Sequence, residues 1–254
     1  MAYKNELVWV IGGSSGIGYA LCHELLKRGA TVAVSARSLD SIMALELEYP
    51  TKIKRYPLDV TDAEATRATA QSIHDDMGVI DRVLHMAAAY LPMTLDQLDM
   101  KQVRHIISVN LTSSFGVLDA CLGVFAKQGN RPQLAMCASV AGYHGLPAGQ
   151  PYSATKAAMI NLAESMVIEL GDRVDVRLIC PGFVRTPLTD QNQFKMPMLL
   201  EPNEAAIEIL NGLTTRRFHI HFPKRFTRLV GLLRWLPYCV TVPLLRWVAP
   251  SKGV

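Results

Sequence analysis

The sequence predicts an α/β chain: a doubly wound parallel sheet of seven strands with helices on both faces. Three observations carry that prediction. Short β-branched runs alternate with longer stretches of helical periodicity, the signature of β–α–β units. The first run, LVWVI at residues 7–11, is apolar throughout, as expected of a strand covered on both sides. A glycine-rich turn then stands directly between that run and the first helical pattern.

The elements follow in order. Residues 17–28 put Ile17, Ala20, Leu21 and Leu25 on one helical face, and the pattern stops at Gly29. Residues 31–35 (TVAVS) read as the second strand and 39–47 as the next helix. Residues 53–58 form the third strand, 63–77 a helix and 82–86 the fourth strand. A long helix is expected over much of 96–125. Residues 133–139 are the fifth strand, ended by Ser139; 152–170 are a helix, 174–179 the sixth strand and 218–222 (FHIHF) the seventh. No repeat, low-complexity tract or Pro/Gly linker interrupts this pattern. Residues 1–222 therefore read as a single domain and 223–254 as a basic, apolar C-terminal extension.

Composition narrows the classes further. With 254 residues, 50% hydrophobic and 19% charged, the chain can bury a full core and is too apolar for intrinsic disorder. Collagen-like, coiled-coil and disulfide-scaffold compositions are excluded. Five scattered cysteines (Cys22, Cys121, Cys137, Cys180, Cys239) lack CxxC spacing, so reduced, buried thiols in a cytoplasmic protein are expected, and no metal site. The N-terminus runs straight into the glycine turn and does not read as a signal peptide. No window offers the ~18 uncharged apolar residues of a spanning helix. The net charge of +4 conceals an asymmetry: residues 216–254 carry eight basic side chains and no acid, leaving the body at −4.

The turn Gly12-Gly13-Ser14-Ser15-Gly16-Ile17-Gly18 is placed to cradle a phosphate. Glycines allow a tight turn and close approach of backbone N–H groups, and the helix N-terminus favours negative charge. Tight packing alone also selects glycine, so the turn by itself is a weak signal. After the second strand comes Ser35-Ala36-Arg37-Ser38, with no acid until Asp40. An acid there usually binds an unmodified ribose, whereas Arg37 suits a 2′-phosphate, which favours NADP(H) over NAD(H). Asp59 reads either as a contact to an adenine edge or as a helix cap.

Tyr152 and Lys156, at i and i+4 on one helix, share a face. An ammonium beside a phenol is expected to lower the phenol pKa towards working pH, making it a usable proton donor or acceptor. Such a pair is common by chance; Ser139, thirteen residues upstream, changes its weight. A hydroxyl there faces the crevice where ligands bind in such sheets. Asn110, unfavourable inside a helix, implies a bend, a bound water or a polar contact.

On these residues the chain resembles the short-chain dehydrogenase/reductase family in its compact, Rossmann-type form, over residues 6–222. The matching positions are Gly12, Gly16, Gly18, Asp59, Asn110, Ser139, Tyr152, Lys156, Pro181, Gly182 and Thr186. The resemblance implies that Tyr152 is the general acid/base and that Ser139 orients the carbonyl or alcohol. It implies that Lys156 holds the nicotinamide ribose and that Asn110 supports a water-linked relay. Ser14, Ser15, Gly16 and Ile17 would line the phosphates, Val184 and Thr186 the carboxamide, and Val60, Ala87, Pro181 and Gly182 the rest of the cofactor pocket. The implied function is NADP(H)-dependent interconversion of a carbonyl and a secondary alcohol, by a homodimer or homotetramer. Two positions depart from the pattern: Ile11 replaces a threonine, and His85-Met86 replaces a pair of asparagines. His85 is read as structural, standing in for one lost hydrogen bond. His144 is read as a loop histidine without a partner. The rival reading is a catalytically silent dinucleotide-binding regulatory or scaffold protein.

Residues 187–201 (PLTDQNQFKMPMLLE) fall where the family places a substrate lid, and their methionines and leucines point to a hydrophobic substrate or to ordinary core contacts. In 223–254, Lys and Arg alternate with Leu and Trp, and Pro237 and Pro243 are expected to break the segment. A membrane surface, on its inner face, and packing on the same protein remain the two readings; no nucleic-acid motif is present.

Overall fold

The computed structural model describes residues 3–192, 194 and 196–248. The seven strands are β1 (Leu7–Ile11), β2 (Thr31–Ala36), β3 (Ile53–Pro57), β4 (Arg82–His85), β5 (Gln133–Cys137), β6 (Asp175–Pro181) and β7 (His219–Phe222). They form one sheet in the order β3-β2-β1-β4-β5-β6-β7, with every neighbouring pair parallel. The chain starts at the centre with β1, winds outward to β3, then crosses back to lay β4 on the other side of β1. The crevice at the carboxyl ends of β1 and β4 is therefore the point where the winding reverses.

Nine α-helices accompany the sheet among the described residues: α1 (Gly16–Lys27), α2 (Met43–Glu48), α3 (Ala63–Met77), α4 (Met100–Ile107), α5 (Ser113–Phe125), α6 (Tyr152–Leu170), α7 (Pro202–Leu213), α8 (Lys224–Leu232) and α9 (Tyr238–Val248). On one face α3, α5 and α6 pack on Trp9, Val83, Met136 and Leu178. On the other, α1, α2 and α7 pack on Val8, Val34, Leu84 and Ile179. Alternate residues of each strand thus feed opposite cores, which is why β1 and β5 are buried at every position. The indole of Trp9, fully buried, donates to Ser35 Oγ at 2.9 Å, so the apolar run carries its one polar group satisfied.

The structure differs from the sequence expectation in several places. Residues 39–47 give only a 3₁₀ turn (Asp40–Ile42) and the six-residue α2. The strand β5 ends at Cys137, so Ser139 stands beyond it and caps the turn Val140–Gly142, its hydroxyl accepting from the Ala141 N–H at 3.1 Å. That local bond competes with continued strand pairing. The long helix is continuous from Met100 to Phe125, 26 residues, long and apolar enough by composition to cross a membrane, although Lys101, Arg104 or Asp119 falls in every 18-residue stretch of it. Its Val117, Cys121 and Val124 face the core beside α3, so it is a core helix of the sheet's flank. Its middle, Ser108–Thr112, widens to a π-turn around Asn110, in keeping with the bend expected there. Pro243 does not break the C-terminal segment; it lies inside α9, which forgoes one backbone bond there, while Pro237 does end the preceding turn. Four cysteines are buried as expected, but Cys239 is exposed. Residues 249–254, with Lys252 of the basic tail, lie outside the described residues, as do Gln193 and Lys195 of the 187–201 segment.

Candidate active site

The glycine turn leaves β1 with Gly12 at φ +86° and enters α1 with Gly16 at φ +52°, conformations that an L side chain rarely adopts. Space is as restrictive as angle. A Cβ on Gly12 would lie 2.6 Å from the Ala87 nitrogen, and one on Gly18 would lie 2.1 Å from the Gly12 carbonyl oxygen. The backbone of the turn is thereby pressed against the loop after β4, and the N-terminus of α1 opens into a cavity of about 690 Å³.

That cavity brings the expected residues together. Gly12, Ser14, Ser15, Gly16, Ile17 and Gly18 line it together with Arg37, Asp59, Val60 and Ala87, the last against Gly12. Pro181, Gly182, Val184 and Thr186, the last against Gly16, line the same cavity, as do Ser139, Tyr152 and Lys156. Asn110 is the exception: it is fully buried and does not line the cavity. Its Oδ1 accepts from the Ala89 N–H at 2.7 Å, and its Nδ2 donates to the Ala89 carbonyl at 2.9 Å and to Thr155 Oγ1 at 3.1 Å. The π-turn thus points one carboxamide at both backbone groups of a cavity-lining residue and ties that residue to α6.

Arg37 is exposed at the edge of the cavity. Asp59 is not a helix cap; Asp62 is, accepting from the Ala65 N–H. Asp59 instead accepts from Thr61 N and Thr61 Oγ1 at 3.0 and 2.7 Å. Those two bonds, with Arg37 and His105 nearby, hold its carboxyl below the usual range.

Tyr152 opens α6, with Lys156 one turn on. The Lys156 ammonium, 1% exposed, donates to the Cys137 carbonyl at 2.7 Å and lies 5.5 Å from the centre of the Tyr152 ring. The expected lowering of the phenol pKa is not what the structure gives. Desolvation pushes the Tyr152 hydroxyl well above the ordinary tyrosine range, and the Ser139 hydrogen bond opposes this only in part. Burial likewise pulls the Lys156 ammonium down. The phenol therefore keeps its proton at neutral pH.

His85 also departs from expectation. Its ring is fully buried at the end of β4, and both nitrogens lack a protein partner, so it supplies no hydrogen bond in place of an asparagine. Burial first, and the Lys156 charge second, push its pKa down to about 3, leaving a neutral imidazole. His144 keeps a buried Nε2 without a partner, as expected, and burial lowers its pKa, with the Arg234 charge adding to this and the Val230 backbone opposing it.

Two neighbours of Tyr152 escaped the sequence reading. The Tyr90 ring packs edge-on against Tyr152 at 5.0 Å and 67°, and its hydroxyl donates to Asn192 Oδ1 at 2.8 Å, linking the β4 loop to the 187–201 segment. Cys137 lines the cavity. Neither carries a motif; the Tyr90–Asn192 contact spans 102 positions of sequence.

The family profile described as short chain dehydrogenase matches residues 6–196. An uncharacterized oxidoreductase of Myxococcus xanthus is 32% identical over 241 residues, covering 93% of this chain and 94% of that protein. A 3-dehydrosphinganine reductase of Arabidopsis thaliana is 30% identical over 238 residues, covering 86% of this chain and 71% of that one. Among solved structures, a short chain dehydrogenase of Burkholderia cenocepacia in complex with NADP superposes with a TM-score of 0.83 at 20% identity, over 99% of this chain and 100% of that one. A short chain dehydrogenase/reductase of Burkholderia phymatum in complex with NAD does so with 0.83 at 16% identity, over 100% and 99%. At those identities the two structures speak for the fold alone.

Proposed function

The chain belongs to the short-chain dehydrogenase/reductase family, oxidoreductases of the CH–OH/C=O class, and from that premise we propose an NADP(H)-dependent enzyme that reduces a hydrophobic, lipid-like carbonyl to a secondary alcohol. The observation that carries the reading is one cavity holding a side-chain-free glycine cradle and the Ser139–Tyr152–Lys156 group together.

The residues fit a dinucleotide. Glycines 12, 16 and 18 leave room for a pyrophosphate against bare backbone N–H groups at the start of α1. Arg37 is the cation placed for a 2′-phosphate among the cavity-lining residues of the β2 end, with the Asp59 carboxyl, itself tied to Thr61, nearby. When bound, the nicotinamide supplies the hydride. Tyr152, protonated at neutral pH, donates its hydroxyl proton to the carbonyl oxygen. Ser139 donates a second hydrogen bond to that oxygen and fixes the carbonyl against Tyr152. Lys156, anchored on the Cys137 carbonyl, holds a ribose hydroxyl and places positive charge beside the phenol. Asn110 keeps the Ala89 backbone in position beneath the site. The lipid-like substrate rests on the apolar 187–201 segment and on the named activity of the Arabidopsis relative. Reduction consumes the proton that Tyr152 delivers, so alcohol oxidation should climb as pH rises.

A fluorescence titration with NADPH and with NADH tests the cofactor, and the Tyr152→Phe variant tests the chemistry. NADPH should bind at least about tenfold more tightly than NADH, and Arg37→Ala should erase the difference by removing a charge-assisted bond of about 1.5–3 kcal/mol. Tyr152→Phe should lose roughly 10²–10⁴-fold in turnover with NADPH affinity unchanged. Preference for NADH removes Arg37 from the account; near-normal turnover of the phenylalanine variant removes the mechanism.

A further inference from the structure

We infer that the outer face of α8 and α9 docks on an anionic lipid membrane, lying on its surface. The helix α8 is fixed to the body by one side: Phe226 and Val230 pack against the main core, and Thr227, 1% exposed, bonds His221 Nδ1 at 2.6 Å. Its other side is open. Leu229 and Leu232 are 64% and 61% exposed, and the exposure continues through Trp235 (87%), Tyr238 (83%) and Trp247 (84%). Of the 22 large apolar side chains exposed among the described residues, nine fall between positions 229 and 247. Such a concentration of exposed apolar side chains marks an interaction surface.

Charge selects the partner. Arg225, Arg228, Arg234 and Arg246 flank the apolar side chains, and residues 216–254 contain no Asp or Glu. A symmetric contact with a second copy would set these arginines against one another. A lipid surface satisfies both parts: leucines and indole rings enter the headgroup boundary, while guanidinium groups reach anionic phosphates. At eleven residues, α9 is too short to span a bilayer, so the segment lies in the interface.

A second cavity, about 680 Å³, opens on the same face and shares Trp235 with it. Arg228, Arg234, His219 and His221 line it, against one acid, Glu164. Arg234 is braced over the Tyr143 ring at 5.4 Å, and His219 Nε2 is bonded to the Tyr143 hydroxyl at 2.8 Å. This cavity takes the phosphate of a lipid headgroup.

The test is sedimentation of the full chain with vesicles of phosphatidylcholine alone, or of phosphatidylcholine with phosphatidylglycerol. The native chain should pellet with the anionic vesicles at least tenfold more than with the neutral ones, less so at high salt. Its tryptophan emission should shift to the blue; Trp9 is already fully buried, so the shift reports Trp235 and Trp247. The Trp235→Ser/Trp247→Ser and Arg225→Glu/Arg228→Glu variants should each lose at least tenfold in vesicle binding while keeping the native melting curve, since all four side chains are exposed. Equal pelleting of native and variant chains overturns the inference. So does pelleting indifferent to lipid charge. A native chain that stays in the supernatant but dimerises through Trp235 and Trp247 overturns it in favour of a second copy.

Discussion

The two arms of the sheet build the site by opposite means. In the arm β1–β2–β3 the cavity wall is backbone: Gly12, Gly16 and Gly18 contribute the absence of side chains, and a single methyl group at position 18 would sit 2.1 Å from a carbonyl oxygen. In the arm β4–β7 the wall is side chain: Ser139, Tyr152 and Lys156 bring a hydroxyl, a phenol and an ammonium to one point. Recognition of a shared, invariant group such as pyrophosphate suits rigid backbone donors. Proton movement needs groups whose affinity for a proton differs with environment, and only side chains offer that range. The comparison predicts that damage to the first arm removes binding and damage to the second removes turnover.

The largest expected effect is at the tightest contact. Gly18→Ala should cost about 3 kcal/mol of overpacking and strain in the turn, and lower NADPH affinity roughly a hundredfold. Its Ser139–Tyr152–Lys156 group should be unaltered, as saturating cofactor would reveal by restoring turnover. If affinity survives and turnover alone falls, the division between the arms is wrong. Asn110→Ala sharpens the comparison, because Asn110 belongs to the second arm yet acts on backbone. It strands the Ala89 N–H and carbonyl, at about 1–3 kcal/mol. For a chain of this size the melting temperature should fall by roughly 2–4 °C per kcal/mol. Turnover should drop more than cofactor affinity; an unchanged melting temperature would mean the clamp contributes nothing.

The effect absent at neutral pH concerns His85. Its folded pKa is depressed to about 3 against an unfolded value near 6.5, so below about pH 6.5 the unfolded chain takes up a proton that the folded chain refuses. Stability is therefore intact above pH 6.5 and declines as pH falls towards 3, by up to about 1.4 kcal/mol per pH unit from this residue. His85→Asn should flatten the fall in melting temperature between pH 7 and 5. Parallel curves for the two proteins would show that His85 does not titrate as its burial implies.

Much of this was legible in the sequence because it is local. The apolar run of β1, the glycine spacing and the i, i+4 step from Tyr152 to Lys156 are each set within a few residues, and the structure gathers the last two at one cavity. What sequence could not supply is set by distant parts. The phenol's raised pKa comes first from the mass of protein around it, which the lowering by Ser139 offsets only in part. The bond between Tyr90 and Asn192, and the isolation of both His85 nitrogens, depend on packing across the fold. The end of β5 failed for a local reason instead: the Ser139 hydroxyl competes for a backbone N–H that the strand pattern does not register.

The reversal of winding between β1 and β4 has a consequence for the lifetime of the folded chain. The crevice is walled on one side by residues 12–60 and on the other by residues 86–189, so any molecule filling it contacts two stretches that the chain joins only by a crossover. Such a molecule binds the folded state and not the unfolded one. At a hundred times its dissociation constant it adds about 2.7 kcal/mol to the free energy of opening. A protease that waits for the open form would then find it roughly a hundredfold rarer. Loaded and unloaded protein would differ in survival before they differ in shape.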